Sequence, residues 1–409
     1  MKWVCIVLPF LTATLQGADV YWPGWLGPKR DGWVKGFQPP KAWPAKLQKQ
    51  WQFKVGDGYG TPLVVGDRVF QHARVGEEEV VWALDLKSGR KIWQTSYKTP
   101  FKIGGGGEKH GKGPKANPTY ADGRLFVMSI SGTLTAFDAD RGRLLWRKNY
   151  HSKFEPTHPK WGMCNSPVVD GDRVIAHFGN NESGLLVALD VRTGKVIWTQ
   201  GNDAPCYSSP LLVEHEGIRQ IIEWNHRALV GVNSKTGKLL WEFPFPHLGT
   251  NQNMPTPAFH EGKVLLGGEN RGLHGIEPKL ENGKWSVKAY WSHRKVSLDM
   301  ASAIVNDGRL YGLSHLSRGR IFCADSHTGE ILWQGPERTC ENATFLAFPG
   351  HVMALLNRGE LRVIKANPDG YQQAASWKVA NTPTWAAPVL LPEGVLIKDR
   401  EHLTMWSFK

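Results

Sequence analysis

The chain has 409 residues, of which 41% are hydrophobic and 21% charged. A chain of this length ordinarily corresponds to two or three domains. Its 50 lysines and arginines against 37 aspartates and glutamates give a formal net charge of +13, which favours anionic partners over neutral ones. Acidic polysaccharides, phosphate-bearing lipids and envelope proteins all qualify. Nucleic acid is not expected, because we find no helix or aromatic ribonucleoprotein motif that would contact bases.

The first 18 residues have the layout of a secretory signal peptide. Lys2 precedes an apolar run from Trp3 to Leu15, and the small residues Gly17 and Ala18 follow. Cys5 lies inside the apolar run and not after a cleavage site, so a lipid anchor is not supported. We therefore expect a periplasmic or secreted protein with no transmembrane segment. Residues 19–49 are predicted to be an N-terminal extension that packs on a domain formed by residues 50–409.

Eight tryptophans recur at intervals of 42 to 53 residues. Around most of them an apolar strand ends in Asp or Asn, a turn passes through Gly, and a second strand carries the Trp. Two more apolar segments precede each unit, so every repeat supplies four antiparallel strands. This period predicts a β-propeller. The tryptophans are Trp51, Trp93, Trp146, Trp198, Trp241, Trp291, Trp333 and Trp377.

The two ends of the repeat region predict the number of blades. Trp51 has no blade strands before it, whereas residues 403–408 have no Trp strand after them. If residues 50–55 form the outer strand of the last blade, the N- and C-terminal strands together close a ring of eight blades. We therefore predict an all-β fold, an eight-bladed propeller, and seven blades are the alternative. The ring is then one domain, and we expect a monomer. Blades five and seven are the least regular, through an insertion reaching Trp285 and a turn at residues 368–370.

Most of the repeated residues are interpreted as structural. A large ring at a fixed place in each blade packs between neighbouring sheets, which is the role expected for Trp93, Trp146, Trp198, Trp241 and Trp333. The repeated carboxylates are expected to accept hydrogen bonds from the turn backbone that follows them. They are Asp85, Asp138, Asp190 and Asp325.

The repeated unit, seen from Ala188 to Trp198, resembles the repeat of pyrroloquinoline-quinone (PQQ) type propellers. Such propellers occur in quinoprotein alcohol dehydrogenases and in the propeller lipoprotein of the bacterial outer-membrane assembly machinery. Residues 22–32, 161–167 and 207–210 are similar to those of secreted PQQ-like repeat proteins common in planctomycete-type bacteria. The resemblance implies the propeller fold. It implies PQQ and calcium only if the protein is a dehydrogenase, and the adjacent Cys-Cys pair and C-x-x-C-H motif of such enzymes are absent from the sequence.

Two sets of loops are expected to meet on one face of the propeller, where ligands usually bind. The first set brings candidate ligand-binding residues to the mouth of the channel: Lys115, Asn117, Trp161, Asn165, Tyr207, Asn253, Asp299, Asn342 and Trp385. The second set delivers one arginine from each of four consecutive blades: Arg271, Arg318, Arg358 and Arg400. Because guanidinium groups bind carboxylates and sulfates through two parallel hydrogen bonds, these could form a basic arc. Local pairing with Glu269, Asp399, Glu360 or a backbone carbonyl is the equal alternative.

The segment from Phe101 to Lys115 contains four consecutive glycines followed by Lys109, His110 and Lys112. Its amides could approach an anion, or it could be a flexible surface loop. It is not a P-loop, because it lacks the Gly-Lys-Ser/Thr ending.

No catalytic residue can be assigned from motifs. The sequence has no Gly-x-Ser-x-Gly elbow and no His-Glu-x-x-His, and no metal site is expected from His spacing. Cys164 and Cys206 occupy equivalent places in adjacent blades and could form a bridge or remain free thiols. Two hypotheses stay open. The first is a secreted or periplasmic binding or scaffold module for an anionic polymer or a protein, without a cofactor. The alternative is a divergent PQQ-dependent alcohol or sugar dehydrogenase.

Overall fold

A computed structural model of the protein describes residues 21–249 and 252–409. The predicted signal peptide, residues 1–18, lies outside the described residues. The described chain forms eight sheets arranged as the blades of a propeller, and each blade contains four antiparallel strands. The predicted all-β, eight-bladed fold is therefore confirmed.

The strands are numbered β1 to β33 in chain order. Blade one contains β3 (Leu63–Val65), β4 (Arg68–Val75), β5 (Glu78–Asp85) and β6 (Lys91–Lys98). Blade two contains β7 (Thr119–Ala121), β8 (Arg124–Met128), β9 (Leu134–Asp138) and β10 (Leu144–Lys148). Blade three contains β11 (Val168–Asp170), β12 (Arg173–Gly179), β13 (Gly184–Asp190) and β14 (Val196–Gln200). Blade four contains β15 (Leu211–His215), β16 (Ile218–Trp224), β17 (Ala228–Asn233) and β18 (Leu239–Pro244).

The second half of the ring follows the same order from the inner to the outer strand. Blade five contains β19 (Ala258–His260), β20 (Lys263–Gly268), β21 (Gly272–Glu281) and β22 (Lys284–His293). Blade six contains β23 (Ile304–Asn306), β24 (Arg309–Ser314), β25 (Arg320–Asp325) and β26 (Ile331–Gln334). Blade seven contains β27 (Ala343–Phe348), β28 (His351–Leu356), β29 (Glu360–Lys365) and β30 (Gln373–Lys378). Blade eight contains β31 (Val389–Leu391), β32 (Gly394–Lys398), β33 (His402–Ser407) and the N-terminal strand β2 (Gln48–Lys54).

The ring is closed by strands from the two ends of the chain. β2 pairs antiparallel with β33, from Gln48 opposite Ser407 to Lys54 opposite His402. The side-chain amide of Gln52 also donates a hydrogen bond to the hydroxyl of Thr404, at 3.0 Å. The predicted closure is confirmed, and the closing strand begins at Gln48 rather than at residue 50.

The repeated tryptophans join neighbouring blades. In seven of the eight, the indole nitrogen donates to a backbone carbonyl outside its own blade, as Trp198 does to Ser234 at 3.0 Å. The ring also covers the turn glycine of the next blade, so that a Cβ on Gly237 would lie 2.7 Å from Trp198. Trp241 is the exception, because its indole donates within its own blade to Gln220, at 2.8 Å.

The repeated carboxylates shape the turns that these rings cover. One carboxylate oxygen of Asp190 accepts the backbone N–H groups of Arg192 and Thr193, at 3.1 and 2.8 Å. The hydroxyl of Thr193 donates to the same oxygen and helps to lower the pKa of Asp190. The backbone N–H three residues later donates in the same way to Asp85, Asp138, Asn233 and Asp325.

Blade five differs from the other blades in the length of its two outer strands. The segment that the sequence suggested was an insertion is the end of a long hairpin, since β21 and β22 are ten residues each. The hairpin turns at Asn282 and Gly283, both with positive φ. Blade five therefore lacks the short glycine turn on which the tryptophan of the preceding blade usually packs. The indole of Trp241 in blade four instead donates to Gln220 of its own blade.

The N-terminal segment occupies the central channel. β1 (Tyr21–Trp22) pairs with β3, the inner strand of blade one. The guanidinium of Arg30 donates to the carbonyls of Ser166 and Pro167 beside blade three, at 3.3 and 2.9 Å. Val34 then donates to the carbonyl of Ala347 on the inner strand of blade seven, at 2.8 Å. Residues 21–34 therefore cross the channel and block it. The described chain contains no helix of the length and apolarity that a membrane crossing requires.

Candidate functional site

A cavity of about 420 Å³ opens at the mouth of the channel. Trp25 and Leu26 of the channel-blocking segment line it, which makes it a blind pocket and not part of a tunnel. The walls come from loops that precede the inner strands of several blades. Cavities of this size, with apolar walls and a few polar groups, are typical of ligand sites.

A ring of side-chain hydrogen bonds shapes the rim of this cavity. In consecutive blades, a hydroxyl or amide oxygen accepts the backbone N–H of the equivalent residue in the previous blade. Most of these residues precede a proline, which holds them extended. The links run from Ala387 through Thr61, Asn117, Ser166, Ser209 and Thr256 to Ser302, and five of the six are 2.9 or 3.0 Å long. The hydroxyls of Thr61, Ser209, Thr256 and Ser302 line the cavity, and because each accepts through its oxygen, its hydrogen remains available to a ligand.

Two groups of aromatic side chains stand on the cavity wall. Trp161 stacks on Tyr207, with ring centroids 5.6 Å apart and an angle of 22° between the rings. In the other group, the rings of Trp385 and His110 are nearly perpendicular, with centroids 4.6 Å apart, and the centroid of Trp385 lies 6.2 Å from that of Tyr59. These half-buried indoles offer flat apolar surfaces with little conformational freedom to lose on binding, as aromatic anchors in interfaces do.

The glycine-rich segment 101–115 folds over the mouth. The indole of Trp161 donates to the carbonyl of Gly105 at 3.2 Å, and Gly107 lies so close that a Cβ there would be 2.8 Å from the same indole. Farther along, Lys109 forms an ion pair with Glu341 of the loop before blade seven. Close packing explains Gly104 and Gly107, and the positive φ of 91° explains Gly106. Both side chains of the ion pair are largely exposed, so that contact holds the loop weakly.

The cavity carries charges of both signs, with Lys109 and Lys115 as cations and Glu269 and Asp299 as anions. Lys115, before blade two, is mostly enclosed and donates to the carbonyl of Trp161 at 3.1 Å, and burial lowers its pKa. Glu269 and Asp299 line the side formed by blades five and six. Burial, followed by the nearby Glu269 carboxylate, raises the pKa of Asp299. A ligand with both a cationic and an anionic group matches this distribution.

The structure brings only part of the predicted set into the cavity. Those that line it are Lys115, Asn117, Trp161, Tyr207, Asp299, Asn342 and Trp385. Asn165 and Asn253 are buried outside it: the amide of Asn165 donates to the sulfur of Met163, and that of Asn253 to the carbonyl of Asn225. The hydroxyl ring was missed, although the recurring Ser/Thr-Pro and Asn-Pro pairs before the inner strands were its sequence signal.

The four arginines do not share one environment. Arg271 is buried between Trp224 and Phe245, and it donates to Asn253 at 2.7 Å and to the carbonyl of Pro246. Arg358 pairs with Glu360 at 2.8 Å, as the local alternative expected.

The remaining two arginines, like Arg358, are exposed. Arg400 lies 3.5 Å from Asp57, while Arg318 stands exposed in a 3-10 turn, Leu316–Arg318. None of the four arginines lines the cavity. The four cysteines of the described chain are free thiols, and Cys164 lines the mouth with its pKa raised by burial to about 11.

Comparison with known proteins places this fold in a family. The family described as outer membrane protein assembly factor BamB matches residues 77–335, more than half of the chain. The chain belongs to this family. Within the BamB family, the chain is 25% identical over 389 residues to the assembly factor BamB of Yersinia pestis, covering 91% of this chain and 89% of that protein. The expected PQQ-like propeller is thus confirmed.

Quinone-dependent enzymes share parts of the same repeat. A polyvinylalcohol dehydrogenase of a Sphingopyxis strain is 28% identical over 198 residues, which cover 44% of this chain and 28% of that enzyme. The crystal structure of a quinohemoprotein alcohol dehydrogenase from Comamonas testosteroni superimposes with a TM-score of 0.70 at 14% identity, covering 95% of this chain and 80% of that one. At this identity the likeness concerns the fold alone.

The carboxylates of Glu269 and Asp299 and the side-chain amides of Asn117 and Asn342 are the oxygen donors at the mouth that could ligate calcium beside PQQ. Calcium binds six to eight oxygen ligands at about 2.3–2.6 Å. Within residues 21–249 and 252–409, the one group of three His, Cys, Asp or Glu residues with ligand atoms inside 4.8 Å of one another is His260, Glu261 and His327, which do not line the cavity. Glu269 and Asp299 line the mouth without such a third partner. We therefore derive no chemical step through that cofactor.

Proposed function

We propose that this BamB-family propeller is a binding module of the cell envelope that receives a segment of a partner protein in its channel mouth. The observation that carries the proposal is the blind cavity with aromatic walls and charges of both signs, Lys109 and Lys115 together with Asp299 and Glu269. A peptide offers cationic, anionic and apolar groups together, whereas an acidic polysaccharide would meet the two carboxylates. The relatedness to an outer membrane protein assembly factor supports a protein partner.

The expected mode of binding follows from the groups on the wall. An apolar side chain of the partner would pack on Trp161 or Trp385, and backbone carbonyls of the partner would accept from the free hydroxyl hydrogens of the rim. The middle of segment 101–115, where Lys109 forms an exposed ion pair with Glu341, would move aside and repack over the bound peptide. Lys115 would bind an anionic group, because its ammonium has donors beyond the one that Trp161 accepts.

The test is peptide selection against the mouth. A random-peptide display library is panned on the purified protein, and the selected peptides are titrated into the protein and into the Trp161→Ala/Trp385→Ala variant. Since aromatic anchors in interfaces are worth at least about 2 kcal/mol each, the variant is expected to bind more than about tenfold more weakly. Tyr290→Ala is the matched control, because Tyr290 is 53% exposed on the long hairpin of blade five. Equal binding by the double variant would contradict the proposal.

A second measurement addresses the dehydrogenase alternative directly. The protein is titrated calorimetrically with PQQ and calcium, and dye reduction is followed over a panel of alcohols and sugars. Stoichiometric binding together with turnover would replace the binding-module proposal by an oxidoreductase.

A further inference from the structure

Two histidines and a glutamate meet at the junction of blades five and six, away from the cavity. His260 and Glu261 stand at the tip of the hairpin between β19 and β20, and His327 stands in the turn between β25 and β26. Nε2 of His260 lies 3.6 Å from one carboxylate oxygen of Glu261, and Nε2 of His327 lies 3.6 Å from the other. Their ligand atoms all fall within 4.8 Å of one another.

These separations are too long for hydrogen bonds and suit a shared metal ion. Zinc–nitrogen and zinc–oxygen bonds of about 2.0–2.2 Å at tetrahedral angles place neighbouring ligand atoms roughly 3.4 Å apart. A nitrogen–oxygen hydrogen bond, in contrast, is about 2.7–3.2 Å long. Each 3.6 Å contact is therefore closer to an edge of a coordination tetrahedron than to a hydrogen bond, and since the two contacts reach different oxygens, Glu261 would turn one of them towards the ion.

His260 supplies an independent observation. Its Nε2 is enclosed and has no hydrogen-bond partner among the described residues. Enclosed polar atoms in folded proteins almost always have a partner, and such an orphan calls for an ion or other group.

The backbone fixes the three ligands before any metal arrives. His260 is paired with Lys263 in the hairpin, and Glu261 occupies the turn with a φ of 46°. His327 belongs to the repeated turn, where its N–H donates to Asp325 at 2.8 Å. Trp291 of blade five rests on the glycine of that turn, Gly329. Both ligand-bearing turns are thus held by the ordinary contacts of the propeller.

We propose that His260, Glu261 and His327 form a binding site for a zinc-like divalent transition metal that joins blade five to blade six. Two imidazoles and a carboxylate are a donor set suited to zinc, with solvent as the fourth ligand. Solvent reaches the site because the side chains of Glu261 and His327 are 62% and 44% exposed. Motif spacing missed this site, because its third ligand comes from the next blade.

The experiment uses the full chain without a polyhistidine tag, stripped of metal by a chelator. Zinc chloride is titrated calorimetrically, and cobalt chloride is added in parallel so that the intensity of its visible absorption reports four-coordinate geometry. We expect one zinc per chain, a tetrahedral cobalt spectrum and a rise in Tm. His260→Ala and His327→Ala should each weaken zinc by at least about tenfold, the smaller effect known for residues that merely support a metal ligand.

His151→Ala is the matched control, since His151 is an exposed histidine of another blade. It should bind zinc as the unaltered protein does. Circular dichroism of the metal-free variants checks that each is folded. Failure of the unaltered protein to bind zinc would overturn the proposal, and so would unchanged zinc affinity and Tm shift in the His260→Ala/His327→Ala double variant.

Discussion

The indole nitrogen of Trp146 lies 3.1 Å from the carbonyl oxygen of Val191, which belongs to the next blade. The two residues are joined by a hydrogen bond across a blade boundary, and the same link recurs around most of the ring. Each such tryptophan therefore contributes both buried area and a directional contact.

Replacing Trp146 separates these two contributions. Trp146→Phe keeps most of the apolar area and loses the hydrogen bond, so it should lower the free energy of unfolding by about 1–2 kcal/mol. Trp146→Ala also leaves a cavity and should cost about 3–5 kcal/mol. Urea unfolding followed by circular dichroism measures both. Equal costs for the two variants would show that the hydrogen bond and not the ring volume dominates.

The glycine beneath that ring gives a second prediction. Gly194 has a φ of 67°, and a Cβ there would lie 2.7 Å from Trp146. Gly194→Ala should therefore cost clearly more than about 1 kcal/mol, since backbone strain adds to a steric clash. Gly171→Ala is the control, because Gly171 has a φ of 58° and open space around the added Cβ. Similar unfolding midpoints for the two variants would contradict the clash.

The buried pair His177 and Glu223 predicts a pH dependence. Nδ1 of His177 lies 2.8 Å from the Glu223 carboxylate, and Nε2 lies 3.0 Å from the carbonyl of Asp203, so both nitrogens face acceptors. Burial opposes the charge of His177 most strongly, but the Glu223 carboxylate and the carbonyl and carboxylate of Asp203 together outweigh it, and the pKa of His177 is raised. The resulting stability is fully present below the unfolded pKa of about 6.5 and is lost as pH rises through the higher folded pKa.

The measurement compares the unaltered protein with Glu223→Gln at about pH 6 and about pH 9. Breaking a buried pair typically costs about 3–5 kcal/mol, and the cost should be largest at the lower pH. Glu182→Gln, at an exposed position, should change nothing at either pH. A difference between the two proteins that grows with pH would have the wrong sign.

Arg30 is predicted to hold the segment in the channel. It is buried, burial lowers its pKa to about 10, and it donates to two carbonyls beside blade three. Arg30→Met should cost about 2–4 kcal/mol, because two charge-assisted hydrogen bonds are lost, although the carbonyl of Pro167 keeps the hydroxyl of Thr119 as a donor. Hydrogen exchange should show faster labelling of residues 21–34. Lys29→Met, at an exposed neighbour, should leave their protection unchanged.

The sequence predicts the fold well because each blade repeats the same local signals. The Trp spacing, the Asp-capped turns and the unmatched ends together predicted eight blades and their closure, and these are confirmed. The path of residues 21–34 could not be predicted, because no local sequence pattern indicates which strands a channel-filling segment will contact.

The site was predictable in outline. Loop position within the repeat placed Trp161, Tyr207 and Trp385 at the mouth, where they line the cavity. It also placed Arg271 there, whereas the structure buries its guanidinium between Trp224 and Phe245. The direction of a long side chain depends on partners from other loops, which the repeat does not encode.

The pairing of β2 with β33 has a consequence for how the molecule is made. Gln52 and Thr404 are 352 positions apart, so the last blade cannot assemble until nearly the whole chain has emerged. Until then β2 has an unpaired edge that invites association with other chains. Contacts between such distant positions also slow folding, because their loop-closure entropy must be overcome first. The biogenesis of this propeller therefore depends on protecting one early strand during the interval before its partner arrives.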